Sequence, residues 1–183
     1  ILQVVCGAPN HKTGDIVEEV AEGYIKIVDR KKGLMVLDTG KNVPSNKIES
    51  RFSLSKWIET VVPIGSERKF VSALVVPNLD AFIELFEKEK IPYDKSRLVK
   101  VTEPVPTCIE VGEDFIASRR LMELIDADIQ AVNNELEEYE RIKKYTILAR
   151  RLTVDDGDMT PTLKVKRKFV LDKYREKIDK MYV

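Results

Sequence analysis

The irregular succession of short β-forming runs and helical segments is the feature that most constrains the fold. Residues 60–64 and 70–76 are rich in β-formers and are separated by a glycine-containing run at 65–68, which predicts an antiparallel pair. Apolar residues at helical spacing predict a long helix over residues 114–136. These residues are Leu121, Ile125, Ile129, Val132 and Leu136. Because the strands and helices follow no regular β–α–β schedule, we predict an α+β domain.

Shorter elements are predicted in the first quarter of the chain. Residues 7–14 contain two glycines, a proline and an asparagine, and are interpreted as a loop. The β-formers at 16–19 and 24–28 flank a glycine and predict a hairpin. Residues 34–37 predict another short strand, and Pro44 is suited to the first turn of a short helix.

The second half of the chain predicts further mixed elements. Asp80 is a candidate cap for a helix over residues 81–88. Residues 91–110 hold three prolines and are interpreted as irregular. Residues 145–149 predict a strand, and a closing helix is expected from about Arg167.

Composition excludes several classes of function. The 183 residues carry 31 basic and 31 acidic side chains, so bulk charge does not support a general polyanion binder, and no nucleic-acid partner is expected. The single histidine, His11, excludes a multi-histidine metal site, and no metal ligands are assigned. The two cysteines, Cys6 and Cys108, form no disulfide framework, which favours a cytoplasmic location. The chain begins with Ile1 and no secretory signal, so a piece of a longer protein is expected.

Two N-terminal segments contain groups that could bind a nucleotide. The carboxylate of Asp15 follows Thr13-Gly14 and could accept hydrogen bonds from ribose hydroxyls, although it could equally shape a turn. The cations of Asp29-Arg30-Lys31-Lys32-Gly33 could hold phosphate, with Arg30 contacting two oxygens. The same run could instead be a solvated linker.

Two later loops are also candidates. Gly40, before Lys41 and Asn42, would permit close backbone approach to a ligand, or could belong to an ordinary turn. Residues 160–168 begin as an exposed extended loop and then become strongly basic, so Lys164 could reach a phosphate as a point charge. The alternative is a basic face that opens the last helix, but cations are unfavourable at a helix N-terminus.

In this order, the motifs resemble those of the adenylate-forming superfamily. The resemblance rests on Thr13-Gly14-Asp15, on residues 23–32, and on Gly40-Lys41-Asn42-Val43-Pro44. Residues 160–168 are similar to the ending of the long-chain fatty acyl-CoA synthetase branch, with Leu163 where the wider superfamily has glycine. The resemblance implies a small C-terminal lid domain with a short β-hairpin and a central three-stranded sheet flanked by helices.

The resemblance also implies a division of the chain and a role for each site residue. Residues 1–28 would be an arm from the end of the N-terminal domain, 29–33 a hinge that includes Asp29 and Lys32, and 34–183 the lid. Asp15 and Arg30 match ATP- or AMP-binding residues, and Lys164 matches the catalytic lysine of adenylation. The loop of Gly40, Lys41 and Asn42 matches the one that faces coenzyme A.

The intact enzyme implied by this resemblance joins a fatty acid to coenzyme A. It would use ATP and Mg²⁺, and its lid would partner the N-terminal AMP-binding domain of the same protein. Peripheral membrane association of the intact enzyme is a further expectation. The fragment alone is expected to bind no cofactor and to lack ligase activity. The alternatives are a non-catalytic module whose residues 164–168 bind an acidic partner or a membrane surface, and a free-standing domain with its own small-molecule site.

Overall fold

The computed structural model describes residues 2–5, 12–21, 24–30, 33–102 and 105–183. It is a mixed α+β structure with two three-stranded sheets and two smaller two-stranded ones. The predicted fold class is therefore confirmed. Among the described residues, no helix is long and apolar enough to cross a bilayer.

The N-terminal sheet consists of β1 (Leu2–Val5), β2 (Lys12–Ala21) and β3 (Tyr24–Arg30), with β2 in the middle. The predicted hairpin corresponds to the antiparallel pair β2–β3. The predicted loop at 7–14 is wrong at its end, because β2 already begins at Lys12, which pairs with Val5. Pairing on both sides of β2 outweighs the turn preference of a single glycine.

A two-stranded hairpin follows, formed by β4 (Leu34–Val36) and β5 (Asn42–Pro44). Helix α1 (Ser45–Arg51) begins directly after β5. Pro44 has an extended backbone and precedes the helix, so its predicted place in the first turn is wrong. Pro44 is paired with Leu34, which keeps it in the strand.

The central sheet has the order β10-β7-β6, from β6 (Ile58–Ile64), β7 (Val71–Pro77) and β10 (Ile142–Ile147). The predicted antiparallel pair β6–β7 is confirmed. Strand β10 lies parallel to β7 and begins three residues earlier than the predicted strand at 145–149. Every residue of β7 is buried, as expected for a middle strand covered on both faces.

One face of the central sheet packs against α2 (Leu79–Glu89) and α4 (Arg119–Asn134), through Val71, Ala73 and Val75. The predicted helix over 114–136 is two helices, because the helical conformation is interrupted at Ala117–Ser118, between α3 (Glu113–Ile116) and α4.

Two further predictions on this side of the sheet need correction. Asn78, not Asp80, caps α2, because its side chain accepts a hydrogen bond from the Ala81 N–H at 3.3 Å. Asp80 instead accepts a bond from the Cys108 N–H at 3.0 Å. The segment 91–110 is not wholly irregular, since it contains the antiparallel strands β8 (Val99–Val101) and β9 (Thr107–Glu110).

The other face packs against the closing helices, through Val62, Leu74 and Val76 of the sheet. The predicted single closing helix is two, α5 (Arg167–Lys173) and α6 (Arg175–Lys180). They are separated at Tyr174, whose φ of −105° and ψ of 19° leave helical geometry. The central sheet is thus a middle layer between two helical layers.

Candidate functional site

Lys164 lies on a small hairpin formed by residues 158–166, here named the Lys164 hairpin. Met159 and Val165 form an antiparallel bridge across it. The Thr160 N–H donates to the Lys164 carbonyl at 2.8 Å, and the Lys166 N–H donates to the Asp158 carbonyl at 2.8 Å. The side chain of Lys164 is exposed near the tip. The segment that was predicted to be an exposed extended loop is therefore exposed, but hydrogen-bonded.

The tip of the hairpin depends on a left-handed residue. Leu163 has φ of +58°, and its N–H donates to the Thr160 carbonyl at 2.8 Å. The Lys164 N–H donates to the Thr160 hydroxyl oxygen at 3.1 Å. A positive φ is costly for leucine and free for glycine, which gives a physical reason for the glycine of the wider superfamily at this position.

The base of the hairpin is held by buried and half-buried ion pairs. The Asp158 carboxylate has no exposed surface, and both of its oxygens accept bonds from Lys173 Nζ, at 2.8 and 2.9 Å. Burial alone would lower the pKa of Lys173, but the bonds to Asp158 and the nearby charges of Tyr174, Asp158 and Asp156 together outweigh it, and the pKa is raised. Just before the base, Arg150 forks onto Asp156 with two bonds of 2.9 Å. The base therefore has a fixed position in the domain.

The basic run after Lys164 does not form one continuous cationic surface. Arg167 points inward, where it pairs with Glu49 and donates to the Pro63 carbonyl at 3.1 Å. Lys164, Lys166 and Lys168 are exposed. The run therefore consists of one arginine that is paired inside the domain and three lysines that face solvent.

A second loop, residues 38–42, connects β4 and β5. The Leu37 N–H donates to the Lys41 carbonyl at 2.9 Å, and the Gly40 N–H donates back to the Leu37 carbonyl at 2.9 Å. Gly40 has φ of +78° and no atom within 4 Å of where a Cβ would lie. Lys41 and Asn42 are exposed, and Lys41 Nζ lies 5.5 Å from the ring centroid of Tyr139. The loop therefore presents its backbone to solvent.

The two loops lie on opposite sides of the central sheet. Met35, Leu37 and Val43, which flank loop 38–42, belong to the core cluster that contains Val75. Met159 and Val165 of the Lys164 hairpin pack against the other cluster, which contains Leu74. Because successive residues of a strand face opposite sides, one rigid sheet separates the two loops.

The predicted nucleotide-binding residues lie in the N-terminal sheet. Asp15 and Arg30 are direct cross-strand partners in β2 and β3, so the register brings their backbones together. Asp29, predicted as a hinge residue, is paired with Ile16 in the same sheet. Lys32 lies outside the described residues. The predicted hinge at 29–33 and the domain boundaries around it stay predictions.

A groove of about 580 Å³ begins at Gly33, the last residue of the predicted hinge. Arg68 and Arg175 line it, but each arginine already has a carboxylate partner. Arg68 pairs with Asp179 at 2.6 Å, and Arg175 pairs with Asp172 at 2.7 Å. These pairs offset two of the four cations that line the groove. Of the other two, Arg167 pairs with Glu49 and Lys168 is exposed.

Neither Cys108 nor a metal cluster adds chemistry to the described part of the chain. Cys108 is fully buried, and burial raises the pKa of its thiol, which disfavours the reactive thiolate. No group of three or more His, Cys, Asp or Glu side chains suited to a metal ion occurs among the described residues.

Sequence reasoning missed Asp158 and Lys173. Asp158 lies in no segment with a predicted role, and Lys173 falls within the expected closing helix. The two partners lie 15 positions apart and belong to no local motif. The one available signal in the sequence was the acidic residue Asp158 shortly before the candidate Lys164.

Gly40 gives a testable prediction for the second loop. Replacing Gly40 with valine should lower the free energy of unfolding by about 1–2 kcal/mol, because a β-branched residue is strained at a positive φ. Urea denaturation measures this loss. Gly40→Asn is the matched control, since asparagine tolerates the left-handed region, and it should be nearly neutral. Equal losses in the two variants would contradict the assigned backbone conformation.

Residues 108–183 match the family described as AMP-binding enzyme C-terminal domain. This match over residues 108–183 bears out the resemblance to the adenylate-forming superfamily that the motifs predicted.

The curated proteins that are similar to this chain include long-chain fatty acid–CoA ligases. The long-chain-fatty-acid–CoA ligase FadD15 of Mycobacterium tuberculosis is 31% identical over 171 residues, which cover 93% of this chain and 26% of that protein. The long-chain-fatty-acid–CoA ligase ACSBG1 of Mus musculus is 30% identical over 174 residues, 93% of this chain and 24% of that protein. The chain thus spans about a quarter of the length of these relatives.

Solved structures agree on the fold. The adenylation domain of a carboxylate reductase from Mycobacterium chelonae superposes with a TM-score of 0.67 at 24% identity, over 94% of this chain and 23% of that one. The corresponding domain from Segniliparus rugosus, solved with AMP and a co-purified carboxylic acid, gives a TM-score of 0.62 at 24% identity, over 93% of this chain and 23% of that one.

Proposed function

We propose that this chain is the lid of an ATP-dependent long-chain fatty acid–CoA ligase. The observation that carries the proposal is the exposed Lys164 on a hairpin with a fixed base, separated by the central sheet from loop 38–42. Similarity to named long-chain fatty acid–CoA ligases over 93% of the chain supports the substrate class.

In the first half-reaction, a fatty acid carboxylate oxygen attacks the α-phosphorus of ATP and pyrophosphate leaves. Negative charge develops on the oxygens around the pentavalent phosphorus. The ammonium of Lys164, presented by the hairpin, would stabilise that charge more strongly in the transition state than in the bound substrate. Asp15 would accept hydrogen bonds from the ribose hydroxyls, with Arg30 beside it reaching the nucleotide. Mg²⁺ would accompany the ATP phosphates.

In the second half-reaction, the thiol of coenzyme A attacks the acyl-adenylate carbonyl and AMP leaves. Lys164 would obstruct the approach of the thiol if it stayed in place. Rotation of the lid about residues 29–33 would withdraw the Lys164 hairpin and bring loop 38–42, with Gly40, to the pantetheine arm. The exposed backbone of that loop is suited to contact with an extended ligand. The placement of the two loops on opposite layers supports such an alternation.

The isolated 183-residue chain should not make acyl-CoA. Its sequence contains no Ser/Thr/Gly-rich phosphate loop and no segment for an acyl tunnel. The test incubates the chain with ATP, magnesium, palmitate and coenzyme A, and measures AMP and palmitoyl-CoA. The expected result is no product above background. Addition of the separately expressed N-terminal domain is the positive arm, and turnover by the chain alone would contradict the assignment as a lid.

A non-catalytic module that binds an acidic partner through residues 164–168 is less well supported. Arg167 would be the strongest anion-binding residue of that run, because a guanidinium contacts two oxygens at once. Its bonds to Glu49 and the Pro63 carbonyl commit it to the interior of the domain. The remaining exposed cations are better suited to one local anion than to a polyanionic surface.

A further inference from the structure

A buried ion pair joins the base of the Lys164 hairpin to helix α5. Asp158 is fully buried, and its two carboxylate oxygens lie 2.8 and 2.9 Å from Lys173 Nζ. The backbone carbonyl of Asp158 also accepts the bond from the Lys166 N–H that closes the hairpin, at 2.8 Å. A single residue therefore closes the hairpin through its main chain and anchors it through its side chain.

The tip of the hairpin has no comparable anchor among the described residues. The bonds that shape it run within residues 160–164, from Thr160 to Leu163 and Lys164. Such bonds define the shape of the turn but not its position relative to the sheet. That position is transmitted through the base of the hairpin.

Helix α5 is itself fixed to the central sheet. Val170 is fully buried in the cluster that contains Leu74. At the start of α5, Arg167 donates to the Pro63 carbonyl on β6 at 3.1 Å. A continuous set of contacts therefore leads from the sheet through α5, Lys173 and Asp158 to the hairpin.

We propose that Asp158 and Lys173 are positioning residues for Lys164. This inference rests on the proposed function, because it assigns Lys164 to the adenylation step. A point charge stabilises a developing oxyanion only at the correct distance, and a displacement of about 1 Å costs on the order of 100-fold in rate. The ion pair supplies the rigid reference that places the ammonium. It touches neither substrate nor reacting atoms.

The test compares single and double variants in the intact ligase that contains this chain. Asp158→Asn and Lys173→Met each leave one charge without its partner, and both should lower the urea midpoint and the adenylation rate. The double variant removes both charges, so it should recover most of the stability, because no unpaired buried charge remains. The double variant does not restore the contact between the base of the hairpin and α5. Its rate of ATP–pyrophosphate exchange should therefore stay on the order of 10- to 100-fold below that of the parent.

Thioester formation from supplied palmitoyl-adenylate provides the readout that a purely structural role would not separate. The double variant should retain this half-reaction at the parent rate. Recovery of adenylation together with stability, or an equal fall in both half-reactions, would overturn the proposal. Glu140→Gln is the matched control, since Glu140 is the other buried carboxylate among the described residues and pairs with Lys47 at 2.5 Å. It should lower stability without lowering adenylation per folded molecule.

Lys164→Ala in the same assays separates this inference from the proposed function. If Lys164→Ala leaves adenylation intact, the proposed function fails and no positioning role remains to be tested. If Lys164→Ala abolishes adenylation while the double variant adenylates at the parent rate, the proposed function stands and only the role of Asp158 and Lys173 fails.

Discussion

Replacing Lys164 with alanine in the intact enzyme is expected to lower the adenylation rate by on the order of 10²- to 10³-fold, the typical cost of removing one group that stabilises developing oxyanion charge. The ammonium is exposed on the hairpin, and the proposed mechanism brings it into the active site of the N-terminal domain. Thioester formation should be largely spared, because the proposed mechanism withdraws Lys164 before coenzyme A attacks.

Two assays separate the half-reactions for this variant. ATP–pyrophosphate exchange with palmitate reports adenylation, and palmitoyl-CoA release from supplied palmitoyl-adenylate reports thioester formation. Lys168→Ala is the matched control, because Lys168 is also an exposed lysine of the same basic run and should leave both rates near those of the parent. Equal losses in the two half-reactions of Lys164→Ala would refute the assigned role.

Replacing Phe86 with alanine is expected to lower the free energy of unfolding by about 3–5 kcal/mol, the usual range for an aromatic side chain removed from a core. Phe86 on α2 is fully buried, and its ring centroid lies 4.6 Å from that of Phe115 and 5.8 Å from that of Tyr93. Removal of the ring leaves a cavity between three elements that cannot all collapse into it.

Urea denaturation followed by circular dichroism measures this loss. Phe169→Ala provides the same change of side chain at a surface position, since Phe169 is 46% exposed, and should cost about 1 kcal/mol or less. A loss for Phe86→Ala no larger than that of Phe169→Ala would show that the aromatic cluster does not support the fold.

Local sequence signals predicted the elements whose partners are close in the chain. The hairpin β2–β3, the antiparallel pair β6–β7 and the exposed position of Lys164 all followed from β-forming runs and intervening turn residues. In each case, the residues that decide the structure lie within one short segment. The adenylate-forming fold itself came from the order of several motifs, none of which is specific alone.

The features that were missed depend on contacts between distant parts of the chain. Strand β10 pairs in parallel with β7, and its predicted start was displaced because β-propensity cannot set a register. The interruption at Ala117–Ser118 lies between α3 and α4, and the apolar spacing, which begins at Leu121, carries no signal for it. The pairing of Asp158 with Lys173 has no local signature either, because it depends on how α5 returns to the hairpin.

Strand β7 supplies neighbouring residues, Leu74 and Val75, to the two separate core clusters. The layers that carry the Lys164 hairpin and loop 38–42 cannot slide apart without unpairing the middle strand of the sheet. The domain is therefore expected to rotate as one rigid unit, so that a rotation of one loop is accompanied by the same rotation of the other. Any bending would then occur outside these layers. Withdrawal of the Lys164 hairpin and arrival of loop 38–42 would therefore be one movement rather than two.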